Sequence, residues 1–419
     1  MTTNTYSYTV LGTYFTSSDL DGSLALAQLP NGDLFALQYL GTATIGTVEY
    51  LQPGINSITN VTSEMSSGAL PSNIGGTANV NLLYVGDNAL PDIILADGGA
   101  DQAPWYGGQV RVLVPNAEGQ YVDDTSLLPQ QLAFNHRLST GEIDGQAAIA
   151  VDMINTQTGD PVGIELLIAN PDGTFSNWSS HLPSNIASIT PGSTYSSGSF
   201  TSSTIADITG SGAGDIFLGG DQSISNNVVL VNNGSGDFTA VTVTAPKPIL
   251  NGDGGGAIAL YELATQFQGD THEDMIVVYA NTPYNQIYLQ FLKGNGVGNF
   301  TDVTSVHLAV QPTIQNALGI NEWADAIQQE NINGFNDLIL NLGDEGSADS
   351  GAIILVNNGN DVYTESTATL PSNLISVTWG TDAGVQGFYG QNSSSQWVFV
   401  PISSTYMGGR FQASCRLDG

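Results

Sequence analysis

Three large aromatic side chains stand in otherwise polar stretches of this chain: Trp105 and Tyr106 in ADGGADQAPWYGG, and Tyr284 in ANTPYNQ. An aromatic ring beside Asp and Asn can stack on the face of a sugar while the polar groups bond its hydroxyls. The alternative is that these rings pack over the base of their own loops. Asp344, Glu345 and Asp349 crowd into LGDEGSADSG, which is either a cation site or a solvated acidic loop. The four histidines, His136, His181, His272 and His307, fall in no metal-ligand spacing. No Gly-x-Ser-x-Gly, His-Glu-x-x-His or phosphate-loop pattern occurs, and NGDGGG at Asn251–Gly256 lacks the following helix that a dinucleotide loop needs. These residues point to binding before catalysis. Acids gathered from several strands around a central channel would leave no local motif.

Charge narrows the partners. Against 39 Asp and Glu stand six Lys and Arg, a formal net charge of −33, although only 11% of residues are charged. Such a field repels nucleic acid and anionic membrane, so neither is expected as a partner; neutral or cationic ligands and divalent cations suit it. A single cysteine, Cys415, excludes an intrachain disulfide. No apolar run reaches the roughly 18 residues of a membrane-spanning helix. The N-terminal MTTNTYSYTV has neither a positive region nor an apolar segment, so it does not read as a conventional signal peptide. Asn-x-Ser/Thr triplets begin at Asn60, Asn177, Asn233, Asn299 and Asn392, and three of the five overlap a repeated signal.

That signal organises the chain. NSITNVT, GQYVDDT, GTFSNWS, GDFTAVT, GNFTDVT and DVYTEST each join a Gly- or Asn-rich turn to a buried-type residue and a polar stretch ending in Ser or Thr. Their central residues are Ile58, Tyr121, Phe175, Phe238, Phe300 and Tyr363, which recur about every 60 residues. Each unit holds short apolar runs bounded by turn formers; one has Val80–Val85, Asp92–Ala96, Gln109–Val114 and Tyr121–Thr125. Four short strands per unit predict an all-β propeller, with four-stranded antiparallel blades in a single domain. Seven blades are expected, from units near 12–66, 67–127, 128–181, 182–244, 245–307, 308–369 and 370–419 plus 1–11. In the last unit, strands are read at Gly384–Tyr389, Gln396–Pro401 and Gly409–Ala413. The N-terminal strand Tyr6–Leu11 is expected to complete that blade and lock the ring, which would remove both open sheet edges.

Between the first two strands of several units lies a polar loop ending in Asp: GDNALPDIILADGG, DITGSGAGDIFLGG, FQGDTHEDMIVVYA and ENINGFNDLILNLG. With the later turns LVNNGSGDFTAVT and LKGNGVGNFTDVT, these resemble the FG-GAP/VCBS repeat family, which includes the integrin alpha-chain propeller. The resemblance is good from about residue 70 to 370. It implies calcium in the loops, because alternating oxygen side chains on a tight loop can supply the six to eight oxygens calcium takes. Carried onto this chain, the ligands would be Asp207, Thr209, Ser211 and Asp215 in the best copy. Asp270 and Asp274 would serve in the next, and Asn331, Asn333 and Asp337 in a third. The first unit keeps only Asp33, and the copy around Glu142 and Asp144 fits poorly. The same Asp and Asn residues could simply shape turns.

The leading expectation is therefore an extracellular or surface binding module, lectin- or adhesin-like, that recognises glycan or protein through loops on one face. Trp105, Tyr106 and Tyr284 are its candidate contacts. The resemblance implies bacterial export without a conventional signal peptide. An enzyme acting on polysaccharide with acids in the central channel, and a structural or assembly protein, are the alternatives.

Overall fold

A computed structural model describes residues 5–8, 13–16, 24–39, 46–54, 57–66, 79–86, 88–98, 108–129, 134–155, 163–187, 200–221, 224–250, 257–267, 269, 271–281, 286–312, 322–332, 334–344, 352–366, 374–382, 385–391 and 396–405. The chain is an all-β propeller of four-stranded antiparallel blades. Six regular blades follow one another at 24–60, 80–123, 134–177, 200–242, 258–302 and 322–365, numbered 1 to 6 below. In each, the four strands pair in sequence order. The first strands of blades 1 to 6 lie side by side in succession, so they form the inner rim and the fourth strands the outer one.

The expected count of seven such blades is corrected to six. The remaining sheet has five strands: Ile375–Asp382, Val385–Gln391, Gln396–Thr405, Thr5–Tyr8 and Thr13–Thr16. Its first strand, Ile375–Asp382, lies upstream of the strands expected for this unit. The two N-terminal strands both pair with Gln396–Thr405, end to end. Thr5–Tyr8 lies against Ile402–Thr405, and Thr13–Thr16 against Gln396–Val398. The expected strand Gly409–Ala413 falls outside the described residues.

The six repeat anchors all sit at or near the start of a fourth strand, and all are buried. The Ser or Thr that closes the signal is a clamp. Thr62 Oγ1 donates to Asn60 Oδ1 (2.7 Å) and accepts the Tyr50 N–H (2.9 Å). Thr125 does the same with Asp123 (2.6 Å) and Val112 (3.3 Å). Ser179 Oγ accepts the Leu166 N–H (3.1 Å) and Thr304 Oγ1 the Phe291 N–H (2.9 Å). Each clamp satisfies a third-strand N–H where the fourth strand has ended, and a buried N–H left bare would cost about 1–3 kcal/mol. In blade 4 the acid or amide is replaced by Ala240, and the outer strand instead runs on to Thr242, paired with Val228. The clamp also accounts for triplets at Asn60 and Asn177, whose amides bond Glu49 (3.2 Å) and Glu165 (2.7 Å).

The core lies between blades. Ile216, Leu218 and Leu230 of blade 4 pack on Ile143, Ala150 and Leu166 of blade 3. On the other face, Phe217 and Val229 pack on Val277 and Tyr279 of blade 5. A second strand is therefore buried on both faces, as Asp215–Gly220 and Asp274–Ala280 are throughout. This is why these strands read as unbroken apolar runs and not as alternation. A further cluster joins Leu34, Ala36, Leu51 and Ile58 of blade 1 to Tyr389 and Phe399 of the five-stranded sheet.

Candidate active site

Of the residues singled out above, Trp105, Tyr106, Tyr284, Asp270 and Asn333 lie outside the described residues, as do Glu345, Asp349 and Cys415. His181 Nδ1 lies 2.8 Å from Asp237 Oδ1 under a stacked Trp178. His307 Nδ1 lies 2.7 Å from the Asp361 carbonyl and its ring stacks on Phe267. Both bridge neighbouring blades.

The loop residues Asp207, Thr209, Ser211 and Asp215 do come together. Thr209 Oγ1 donates to Asp215 Oδ2 (2.9 Å) and lies 3.1 Å from Ser211 Oγ; Gly212 N–H donates to Asp207 Oδ2 (2.9 Å). Asp207 Oδ1 is buried and has no partner among the described residues. Asp215 itself is a clamp: its two oxygens accept N–H groups from Thr209 and Asn232, both at 2.8 Å. Asp274 accepts from Phe267 and Gly294 (2.8 Å each), and Asp337 from Ile332 (3.2 Å) and Asn357 (2.7 Å). The first donor comes from the preceding loop and the second from the end of the third strand. Asn331 Oδ1 accepts the Gly334 N–H (2.8 Å) within its own turn. Among the described residues of these loops, Asp207 Oδ1 is the carboxylate oxygen without a hydrogen-bond partner. In the third unit the loop is gone, replaced by a two-residue hairpin turn with positive φ at Asp144 (50°) and Gly145 (74°).

Blades 1 and 2 carry Pro53 and Pro115 at the third-strand position where blades 4 to 6 have Asn232, Gly294 and Asn357. Proline has no N–H to give. Asp33 is met instead by the side chains of Asn31 (2.9 Å) and Gln52 (3.5 Å). Asp92 Oδ1 has no partner among the described residues, and burial pushes its carboxyl up to about 7.

The strongest concentration of reactive groups lies at the inner rim of blades 3, 4 and 5, in residues that no motif marked. Arg137, on the first strand of blade 3, is the cross-strand neighbour of Asp152 on the second. Its guanidinium carbon sits 4.3 Å from the ring centroid of Tyr261, on the first strand of blade 5. Between them runs the first strand of blade 4, Phe200–Ala206, with a register shift at Phe200/Ser202. Its adjacent serines face opposite ways, as neighbours on a strand must. Ser203 Oγ donates to Asp152 Oδ2 (2.8 Å) and lies 3.1 Å from Ser139 Oγ. Ser202 Oγ meets Glu262 Oε1 at 2.5 Å.

Asp152 is 0% exposed, Arg137 7% and Glu262 9%. Burial pushes the Asp152 carboxyl up to about 8, against the Ser203 hydrogen bond and the positive charge of Arg137. Burial likewise pushes Glu262 up to about 8. The Ser202 hydrogen bond opposes this, the charge of Asp152 adds to it, and Arg137 opposes it. Asp152 Oδ1, Glu262 Oε2 and Arg137 Nε have no hydrogen-bond partner among the described residues. Buried polar atoms are nearly always paired, so three bare ones in one cluster need an occupant or a task. Asp152 and Glu262 flank the Phe200–Ala206 strand from its two faces, each a carboxyl that burial keeps protonated, and the charge of Arg137 acts on both.

No family model matches the chain, and no curated protein matches it. Solved structures similar to it include the alpha-L-arabinanase of Penicillium chrysogenum complexed with arabinobiose. That match has 10% identity, covers 96% of this chain and 98% of that one, and has a TM-score of 0.45. The alpha-L-arabinofuranosidase of Fusarium graminearum is 6% identical, with 94% and 98% covered and a TM-score of 0.44. The BBS1N chain in complex with ARL6DN is 10% identical, with 97% and 99% covered and a TM-score of 0.46. At these scores none bears on what this chain does.

Proposed function

We propose that the chain acts on polysaccharide, hydrolysing a glycosidic bond at the Asp152–Arg137–Glu262 cluster. The observation that carries this reading is the pair of buried carboxyls from blades 3 and 5 on either side of the first strand of blade 4, each with one oxygen that has no partner among the described residues. Glycosidic hydrolysis needs two carboxyl groups and no cofactor. One carboxylic acid gives its proton to the leaving oxygen as the C–O bond breaks. Water adds to the anomeric carbon, and its proton passes to the other carboxylate. Glu262 is the less buried of the two, so it takes the acid role. Asp152, in register with Arg137, takes the other. A neutral polysaccharide suits a chain of net charge −33.

Supporting loops would hold the polymer, and Trp105, Tyr106 and Tyr284 are the stacking candidates. A binding module without turnover is the competing reading. Release of reducing ends from a panel of neutral polysaccharides separates the two. Release that Glu262→Gln abolishes supports hydrolysis; coherent retention on one glycan with no release supports the binding module.

We further propose that the two N-terminal strands act as one interrupted outer strand of the five-stranded sheet and so close the ring. Their end-to-end pairing on Gln396–Thr405 supports it. The kinship with FG-GAP/VCBS repeats rests on the repeat itself. Calcium at the Asp207–Asp215 loop rests on the free Asp207 Oδ1. A melting temperature lowered by chelator is its test. Placement outside the cell rests on that kinship alone.

A further inference from the structure

Glu262 is held from two sides. Ser202 Oγ stands 2.5 Å from its Oε1, and the Ala259 carbonyl lies 3.2 Å from the same hydroxyl. A serine hydroxyl has one proton to give. Thr201 Oγ1 also donates to the Ala259 carbonyl at 2.5 Å, and of its own two acceptors Ser202 Oγ lies much nearer Glu262 Oε1. The Ser202 proton therefore goes to Glu262 Oε1. On the other side lies Gly219, in the second strand of blade 4. A Cβ built there would stand 1.9 Å from Glu262 Oε1 and 2.4 Å from Ser202 Oγ. Only a residue without a side chain lets the carboxyl occupy this seat.

We propose that Ser202 and Gly219 are positioning residues for Glu262: together they fix Oε1 as the accepting oxygen and leave the acid's proton on Oε2, the oxygen with no partner. This rests on the reading of Glu262 as the acid of the hydrolysis above. When Glu262 gives up its proton, one O–H bond breaks on Oε2 and one forms on the leaving oxygen. The Ser202 hydrogen bond stays and supports the new carboxylate. The other ionisable groups facing Glu262 are Asp152 and Arg137 from blade 3 and the Tyr279 phenol from the second strand of blade 5. Arg137 favours the carboxylate and Asp152 opposes it, and among the described residues Ser202 is the neutral side chain that hydrogen-bonds it.

The test is infrared titration of the protonated-carboxyl band from acid to alkaline pH, with Glu262→Gln identifying which component belongs to Glu262. Removing a hydrogen bond to a charged group in Ser202→Ala should move the Glu262 midpoint up by about one pH unit or more. The alkaline limb of the activity profile should move with it. Ser202→Thr, which keeps the hydroxyl, should return both to the wild-type position. Gly219→Ala should displace Oε1 and disturb the same midpoint. A folded Ser202→Ala protein with an unmoved Glu262 midpoint overturns the proposal. If Ser202→Ala does not fold, Ser202→Cys, with similar volume and a weaker donor, is read in the same way. A midpoint that moves in a protein that hydrolyses no glycan upholds the positioning roles and overturns the hydrolytic reading instead.

Discussion

Raising the pH from about 5 to about 8 should make this protein easier to unfold. Asp152 and Glu262 titrate near 3.8 and 4.5 when free, and near about 8 in the folded chain. Their folded values lie above their unfolded ones, so between roughly pH 4.5 and 8 the native state binds protons that the unfolded state has lost. Stability then falls as pH rises, by about 1.4 kcal/mol per pH unit for each proton retained. Arg137 favours ionising one member of the pair, so one retained proton is the lower bound. That bound gives about 4 kcal/mol between pH 5 and 8, a large part of the 5–15 kcal/mol typical of a folded domain. Asp92 and Glu165, both raised to about 7 by burial, act in the same direction over the lower part of this window. The assay is urea unfolding at pH 5, 6, 7 and 8, comparing midpoints at constant slope. The Asp152→Asn/Glu262→Gln double variant should flatten most of the dependence and be more stable than wild type at pH 8. A midpoint that is level or rises through this range, or a slope unchanged in the double variant, refutes the reasoning.

Restoring the missing clamp donor should help blade 2. Pro115→Asn supplies an N–H to Asp92 Oδ1, and its gain of about 1–2 kcal/mol at pH 8, measured by urea unfolding, should exceed the entropy lost with the proline. Conversely, Thr304→Val leaves the Phe291 N–H bare and should cost about 1–3 kcal/mol, read as a lower midpoint at unchanged slope. Deleting residues 1–12 removes the Thr5–Tyr8 pairing and should lower the melting temperature sharply; an unchanged melt would count against closure through this strand.

The blades were legible because each must solve the same problem locally. Phe300 and Tyr121 recur at a fixed interval since every fourth strand needs an apolar anchor, and where that strand ends a third-strand N–H needs a cap, as Thr304 and Thr125 supply. The five-stranded sheet was less legible. Its outer edge comes from the opposite end of the chain, and Ile375–Asp382 carries no copy of the anchor signal. The cluster was not legible at all from spacing, because Asp152 and Glu262 belong to different blades and reach Ser203 and Ser202 of a third only when the blades stack. A signal did exist: each acid stands alone in a strongly apolar strand, AIAVDMIN and IALYELAT, where burial of a lone carboxyl would need a reason. The loop acids have a structural task that their spacing did not reveal. Both oxygens of Asp274 and of Asp337 receive backbone N–H groups from the preceding loop and the third strand.

The most direct measurement is the turnover number of wild type and Glu262→Gln on whichever neutral polysaccharide the wild type degrades fastest. The account predicts a loss of about a hundredfold to ten-thousandfold with an intact fold, the usual worth of a general acid. Equal turnover by the two proteins would contradict it.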